Sequence, residues 1–311
     1  MDFEAPDKLA LYSSNARRKR FYFCPVGYWL FHAEGQDGYL AEPESWKFLL
    51  YRAKFMIPLA AWSKSIFRRS LREFYPAAAQ WRNADFAVRT RALLEREFLC
   101  LERGEHRRDP KIAAAIMEVE HGVLSLSAAY DRLCGELDAM LRSWRESGPA
   151  EELRSAAPEK FRNPTGEPLS FPLGGVTFLM APDLVWRDAR CLNMLDCGRF
   201  AMDEDRKRSA ALFRAFAFRH WAIPPERVRC CFYDPADGRP HWDDGEGEDD
   251  RDFAELFRQL AGEAGFWRDY LVEQTRAAAE GRWLYPRREQ CGVCRFAGLC
   301  PAEHAGEHNG L

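Results

Sequence analysis

The chain has 311 residues, and 47% of them are hydrophobic, which is the composition of a globular protein rather than a disordered one. Its formal net charge of −3 excludes a uniformly basic nucleic-acid-binding protein, so any nucleic-acid contact must depend on a local basic patch. No apolar stretch approaches the ~20 residues of a membrane span, and no secretory signal is recognisable at the start. Ten cysteines without such a signal favour the reducing cytoplasm.

The N-terminal segment, residues 1–40, contains a basic run that directly precedes three aromatic residues. The run consists of Arg17, Arg18, Lys19 and Arg20. Positive charge beside aromatic side chains suits the backbone and the stacked bases of a single nucleic-acid strand, so these four residues are candidates for nucleic-acid binding. The alternative is an ordinary solvated face, and the sequence leaves both open.

Residues 41–150 are predicted to be helical, because apolar residues recur along them at spacings of three and four. The pattern is clear at Phe48, Leu49, Ala53 and Met56. Asp109-Pro110 and Gly122 indicate breaks between helices. From Ser147 to Pro158 the composition predicts a linker.

Residues 151–290 change to a pattern that alternates strands and helices, so we predict an α/β class for this part of the chain. The predicted elements are a hairpin from Pro168 to Trp186, a strand from Cys191 to Cys197, a helix from Asp203 to Trp221, a strand from Arg227 to Tyr233, an acidic loop from Asp243 to Asp252 and a helix from Asp252 to Glu280. The order of these elements is ββ-β-α-β-α.

The C-terminal tail, residues 291–311, places Cys291, Cys294 and Cys300 at C-x₂-C-x₅-C spacing, followed by proline. Three thiols so spaced can wrap one face of a metal centre, and a complete site requires a fourth. The best candidate is Cys24, which lies far upstream and is also followed by proline. Four cysteines suit an iron–sulfur cluster or a structural zinc ion, and unliganded thiols are the third possibility.

This split cysteine pattern, with Cys24-Pro25-x-x-Tyr28 at one end and C-x₂-C-x₅-C-P at the other, resembles the iron–sulfur branch of the RecB-family PD-(D/E)XK nucleases. That branch includes AddB-type exonucleases and CRISPR adaptation nucleases. The resemblance implies a PD-(D/E)XK restriction-endonuclease-like core with residues 41–150 as a helical insertion. It also implies a 4Fe-4S cluster on Cys24, Cys291, Cys294 and Cys300 that staples the two ends together.

The resemblance further implies a catalytic site. Asp183, within Pro182-Asp183, and Asp196 match the two carboxylates that in such nucleases bind Mg²⁺ or Mn²⁺. Two expected partners are missing, because Gly198 stands where the family has lysine and the helix around Phe86–Glu95 contains no histidine. Lys207 could replace the lysine, and Glu95 or Glu97 could replace the histidine as a metal ligand.

We therefore expect a catalytically degenerate nuclease relative that binds DNA, either single-stranded or at duplex ends, or a protein partner in a DNA-processing or defence complex. A second hypothesis is an active DNase that uses Asp183 and Asp196 with Mg²⁺ or Mn²⁺. The third is a structural, metal-stapled subunit without nucleic-acid contact.

Overall fold

The structure, a computed structural model, describes residues 11–77, 85–156, 160–162, 168–198, 203–245 and 250–302. These residues belong to two compact units. The first unit draws on Met1–Met56, Pro172–Phe178 and Phe257–Leu311, and the second on Ile57–Phe171 and Leu179–Leu256. The chain therefore leaves the first unit and returns to it twice. Helices and strands both contribute to the structure, which confirms the α/β class.

The first unit begins with short elements. They are β1 (Leu11–Ser13), α1 (Asn15–Phe23), α2 (Pro25–Trp29), a π-helical turn (Leu30–Glu34), a 3₁₀ turn (Gly38–Leu40) and α3 (Trp46–Ala53). The hydroxyl of Ser14 caps α1 by accepting a hydrogen bond from the Arg17 amide, at 3.2 Å. One residue, Cys24, both ends α1 and caps α2. The change of helix direction therefore falls at the first cysteine of the predicted site.

Aromatic packing joins these early elements to the end of the chain within the first unit. The Phe21 ring lies 5.2 Å from that of Tyr270, which is on the long helix α11 (Asp250–Ala279). The Trp29 indole donates to the Thr275 hydroxyl at 3.0 Å. The Trp46 indole donates to the Leu299 carbonyl, also at 3.0 Å, so the N-terminal and C-terminal segments lie together.

The second unit starts with helices. They are α4 (Leu59–Phe74), α5 (Phe86–Glu102), α6 (Glu105–Arg108), α7 (Met117–Glu120), α8 (Leu126–Arg145) and α9 (Gly148–Ser155), with the two-residue strands β2 (Met56–Ile57) and β3 (Ala115–Ile116). The linker predicted from Ser147 is wrong over most of its length, because α9 forms there. The Ser147 hydroxyl caps α9, and Pro149 occupies its first turn, where a missing N–H does no harm.

The sheet of the second unit has the strand order β6-β7-β8-β9. After β4 (Leu169–Leu173) and β5 (Val176–Met180), its elements are β6 (Leu184–Arg187), β7 (Leu192–Asp196), α10 (Asp203–Trp221), β8 (Val228–Tyr233) and β9 (Pro240–Asp243). Strands β7 and β8 are parallel, with α10 between them in sequence, and the other two pairs are antiparallel. The sequence did not predict β9, because its four residues begin with proline, end in aspartate and include only one strand-forming side chain, Trp242.

Strand β7 lies at the centre of this unit and is buried on both faces. Because side chains alternate along a strand, Met194 packs on the side of α10 with Phe213, and Leu195 packs on the other side. There Leu195 joins the core that the helices form around Trp144. The two candidate carboxylates lie beside this strand, Asp196 at its end and Asp183 just before β6.

Candidate functional site

The four cysteines of the predicted metal site line one pocket in the first unit. Cys24 lies at the junction of α1 and α2, and the 3₁₀ turn Arg288–Val293 and the loop after it supply the other three. The pocket encloses about 300 Å³ of empty space, including its open mouth. The prediction that a distant fourth thiol meets the tail is therefore matched by the placement of the side chains.

Two backbone amides point at sulfur atoms of this pocket. The Gly27 amide donates to Cys24 Sγ, and the Phe296 amide donates to Cys294 Sγ, each at 3.5 Å. The first of these bonds lies at the N-terminus of α2, where the backbone carries partial positive charge. The Phe296 contact favours the thiolate form of Cys294, which is the form that binds metals.

The thiols also influence one another through their charges. Burial raises the pKa of Cys294, the Phe296 amide opposes this, and the neighbouring Cys24 and Cys291 raise it further. Burial raises the pKa of Tyr270 too, with Cys24 and Cys300 adding to it. Thiolates held this close repel each other, and a bound cation or cluster relieves that repulsion.

The four thiols are donors of the kind that bind metals. In the described part of the chain, no group of three or more His, Cys, Asp or Glu side chains is arranged to hold a metal ion. Zinc bonds of 2.3 Å in a tetrahedron would draw four sulfurs to about 3.8 Å from one another. The four cysteines line a pocket whose other walls include Leu30 and Phe296, and four thiolates could hold either a zinc ion or an iron–sulfur cluster there.

The two carboxylates of the predicted catalytic site come together in the second unit, with an arginine between them. Arg68, on α4, donates its Nε to both oxygens of Asp183 at 2.9 Å. Its Nη2 donates to Asp196 at 3.4 Å. The guanidinium thus bridges the carboxylates that a divalent cation would bridge in an active nuclease.

Further contacts complete this carboxylate site. Asp183 is fully buried and also accepts a hydrogen bond from the Cys197 amide at 2.7 Å, and the Arg72 guanidinium lies 3.7 Å from it. Burial would lower the pKa of Arg68, but attraction to Asp183 and then Asp196 raises it above its usual value. Among the described residues, two arginines thus face two carboxylates.

The structure shows where the residues that could replace the missing lysine and histidine lie. Glu97 accepts a hydrogen bond from Arg69 at 2.7 Å, and Glu95 is exposed on α5. Lys207 is exposed on α10. The role of Arg68 escaped the sequence reasoning, because nothing in its spacing relates it to Asp183, 115 residues away.

The basic run lies on α1, where the helix separates its four side chains. Arg18 pairs with Glu263 at 3.4 Å, and Lys19 is exposed. Arg17 lies over the Tyr12 ring, 5.2 Å from its centre. Arg20 contacts His32 and the ring of Phe31 instead. The run is therefore not one continuous basic surface, because Arg17 and Arg20 both act on His32 whereas Arg18 pairs with Glu263.

None of the helices that the structure describes has both the length and the apolar composition needed to cross a membrane. In comparisons with known protein families, curated proteins and solved structures, no match to this chain is found.

Proposed function

We propose that this protein is a PD-(D/E)XK nuclease relative that carries a 4Fe-4S cluster and binds DNA without cleaving it, in DNA processing or defence. Cys24, Cys291, Cys294 and Cys300 would hold the cluster, which supplies a covalent link between the two ends of the first unit. We infer the loss of catalysis from the position of Arg68, which lies between Asp183 and Asp196.

Chemistry explains why this arginine argues against cleavage. A catalytic divalent cation binds the scissile phosphate, lowers the pKa of a water molecule and stabilises the leaving oxygen. A guanidinium offers hydrogen bonds and charge, but it holds no water for attack and cannot accept a proton. To enter the site, Mg²⁺ or Mn²⁺ would have to displace Arg68 from a buried carboxylate.

The cluster is tested by anaerobic purification, with iron, sulfide and zinc measured per chain. We expect brown protein with broad visible absorbance and about four irons per chain. Colourless protein with one zinc ion would instead support a structural zinc site on the same cysteines.

Catalysis is tested by incubating the protein with labelled single-stranded and duplex DNA in Mn²⁺, beside the Asp196→Ala variant. We expect salt-dependent retention of DNA by both proteins and cleavage by neither. Cleavage that Asp196→Ala abolishes would support the second candidate, an active DNase, which the proximity of Asp183 and Asp196 favours. Absence of retention at low salt would favour a structural partner protein.

A further inference from the structure

We infer that Arg20, Lys54 and Arg295 form a phosphate-binding site around the ring of Phe31, and that its ligand is the backbone phosphate of a single nucleic-acid strand. This inference rests on the proposed DNA binding and names the part of the first unit that would contact the DNA.

Three cations from separate parts of the first unit surround one aromatic ring. The Arg20 guanidinium carbon lies 3.6 Å from the centre of the Phe31 ring, the Lys54 ammonium 5.0 Å and the Arg295 guanidinium carbon 5.7 Å. All four side chains are only partly buried, so the cluster is accessible from solvent. Each cation–ring contact is worth about 0.5–1 kcal/mol where water is near, which holds the cations in place.

The polar contacts of these cations leave their charge unbalanced. Arg20 donates to His32 Nε2 at 3.0 Å, Lys54 donates to the Gly35 carbonyl at 3.3 Å, and Arg295 donates to the Lys54 carbonyl at 2.7 Å. Every one of these acceptors is neutral. Within the described ranges, none of the three cations forms an ion pair with a carboxylate, unlike Arg68 in the second unit.

The unbalanced charge affects the ionisable groups around it. Burial, then the charges of Arg295 and Arg17, lowers the pKa of Arg20 to about 10. Burial, then Arg17, Arg20 and Lys54, lowers the pKa of His32 to about 2, so this histidine is neutral and accepts the hydrogen bond from Arg20. Burial, then the charge of Arg20, lowers the pKa of Lys54, and the charge of Asp37 offsets only part of this.

A buried tyrosine lies beside the same cluster. Tyr28 is fully buried, and the Arg17 side chain acts on its hydroxyl through its charge and as a hydrogen-bond donor. Its ring centre is 4.5 Å from that of His32, and the charges of Arg17 and Arg20 act on it. Arg17 therefore belongs to the same positively charged region as Arg20.

Phosphate is the anion that this chemistry fits best. Guanidinium groups bind phosphate oxygens through two parallel hydrogen bonds, and an ammonium adds a compact charge. The first unit also exposes aromatic side chains on which bases could stack, among them Tyr12, Tyr22, Phe23 and Phe266. A positive site with exposed aromatic rings is the usual equipment for binding a single strand.

The cations could instead serve to balance the negative charge of the cluster. Arg287 lines the cysteine pocket, and none of Arg20, Lys54 and Arg295 is among the lining residues. Arg295 does follow Cys294 and its charge lowers the pKa of that thiol, so the variants must distinguish the two roles.

The test uses the anaerobically purified full chain and fluorescence anisotropy with a labelled oligothymidylate of fifteen nucleotides at several salt concentrations. We compare the wild type with Arg20→Gln and Lys54→Gln, and with Arg268→Gln, an exposed arginine of the same unit that pairs with Asp269. We expect each of the first two to weaken binding about tenfold and to lower the salt slope by about 0.7. Arg268→Gln should change neither quantity.

A second arm measures the melting temperature in inorganic phosphate and separates this inference from the proposed function. If DNA binds but Arg20→Gln and Lys54→Gln keep the full affinity and slope, the Phe31 site is overturned while DNA binding stands. If the wild type binds no DNA, yet phosphate stabilises it and not Lys54→Gln, the site stands for free phosphate alone. If phosphate stabilises neither protein and no DNA binds, both proposals fail. A changed cluster absorbance with unchanged DNA binding would assign these cations to the cluster.

Discussion

Arg68 in the second unit and Arg20 in the first are both half-buried arginines beside a candidate functional site, but they meet opposite surroundings. Arg68 contacts two carboxylates, and Arg72 lies near one of them. Arg20 contacts a neutral histidine and an aromatic ring, with further cations nearby. The contrast shows that arginines of the same chain can neutralise a carboxylate pair, whereas cations without a carboxylate partner keep their charge for an anion.

Cys24→Ser should have the largest effect, since it removes one ligand of the proposed cluster in the first unit. Loss of the metal should abolish the visible absorbance and lower the melting temperature on the order of 10 °C, because metal binding contributes directly to folding. Differential scanning fluorimetry and absorbance spectra measure both changes. The control is Cys100→Ser, in the second unit, which should keep the absorbance. A Cys24→Ser protein with unchanged metal content would mean that another residue is the fourth ligand.

Arg68→Ala tests the carboxylate site of the second unit. It leaves the buried Asp183 carboxylate without its main partner, so we expect the free energy of unfolding to fall by about 3–5 kcal/mol. Mn²⁺ should restore part of this loss by binding the two released carboxylates, and urea unfolding with and without the metal measures it. Arg91→Ala, which removes an exposed pair with Asp138, should change the value by about 1 kcal/mol at most. An unaltered unfolding curve for Arg68→Ala would contradict the bridging role.

Acid should weaken the first unit through His32. Its folded pKa of about 2 lies below the ordinary value of 6.5, so between these pH values the unfolded chain binds a proton that the folded chain does not. Stability should therefore fall as the pH drops below 6.5, by at most about 2 kcal/mol at pH 5. His32→Gln, whose amide oxygen can still accept a hydrogen bond from Arg20, should not show this fall in stability. Parallel stability curves for the two proteins between pH 7 and pH 5 would refute the expectation.

Lys54→Met should have the smallest effect on stability. The sign of this effect distinguishes the cations of the first unit from the ion pairs of the second. Removing one of several mutually repelling cations should raise the free energy of unfolding by about 0.5 kcal/mol in phosphate-free buffer. The matched control is Lys64→Met in the second unit, where the ammonium pairs with Asp234 at 2.6 Å and its loss should be destabilising. Equal signs for the two substitutions, measured by urea unfolding, would remove the contrast between the units.

The sequence predicted well those features that a local pattern encodes. The helix from Asp203 to Trp221 has the predicted limits, because acidic residues open it and its apolar positions recur at helical spacing. The sequence also pointed to the four cysteines as one set, since three thiols lie at short spacing in the tail and Cys24, like Cys300, is followed by proline. Cys24 and the tail thiols do line one pocket.

The features that escaped prediction depend on side chains that meet only in three dimensions. The Arg68 bridge joins α4 to residues on either side of a hairpin, and Phe31 gathers cations from three separate segments. Even within the basic run, sequence neighbours diverge, because a helix turns Arg18 toward Glu263 and Arg20 toward Phe31. Strand β9 was missed since Trp242 is the only strand-forming side chain among its four residues.

The contact between Trp46 and Leu299 also bears on how the protein is made. These residues are 253 positions apart, so at 5–20 residues per second the ribosome adds the second roughly 13 to 50 s after the first. The second unit, which ends at Leu256, is synthesised in between, before the tail cysteines can join Cys24. During synthesis, then, Cys24 is without the three tail cysteines until the last part of the chain has been added.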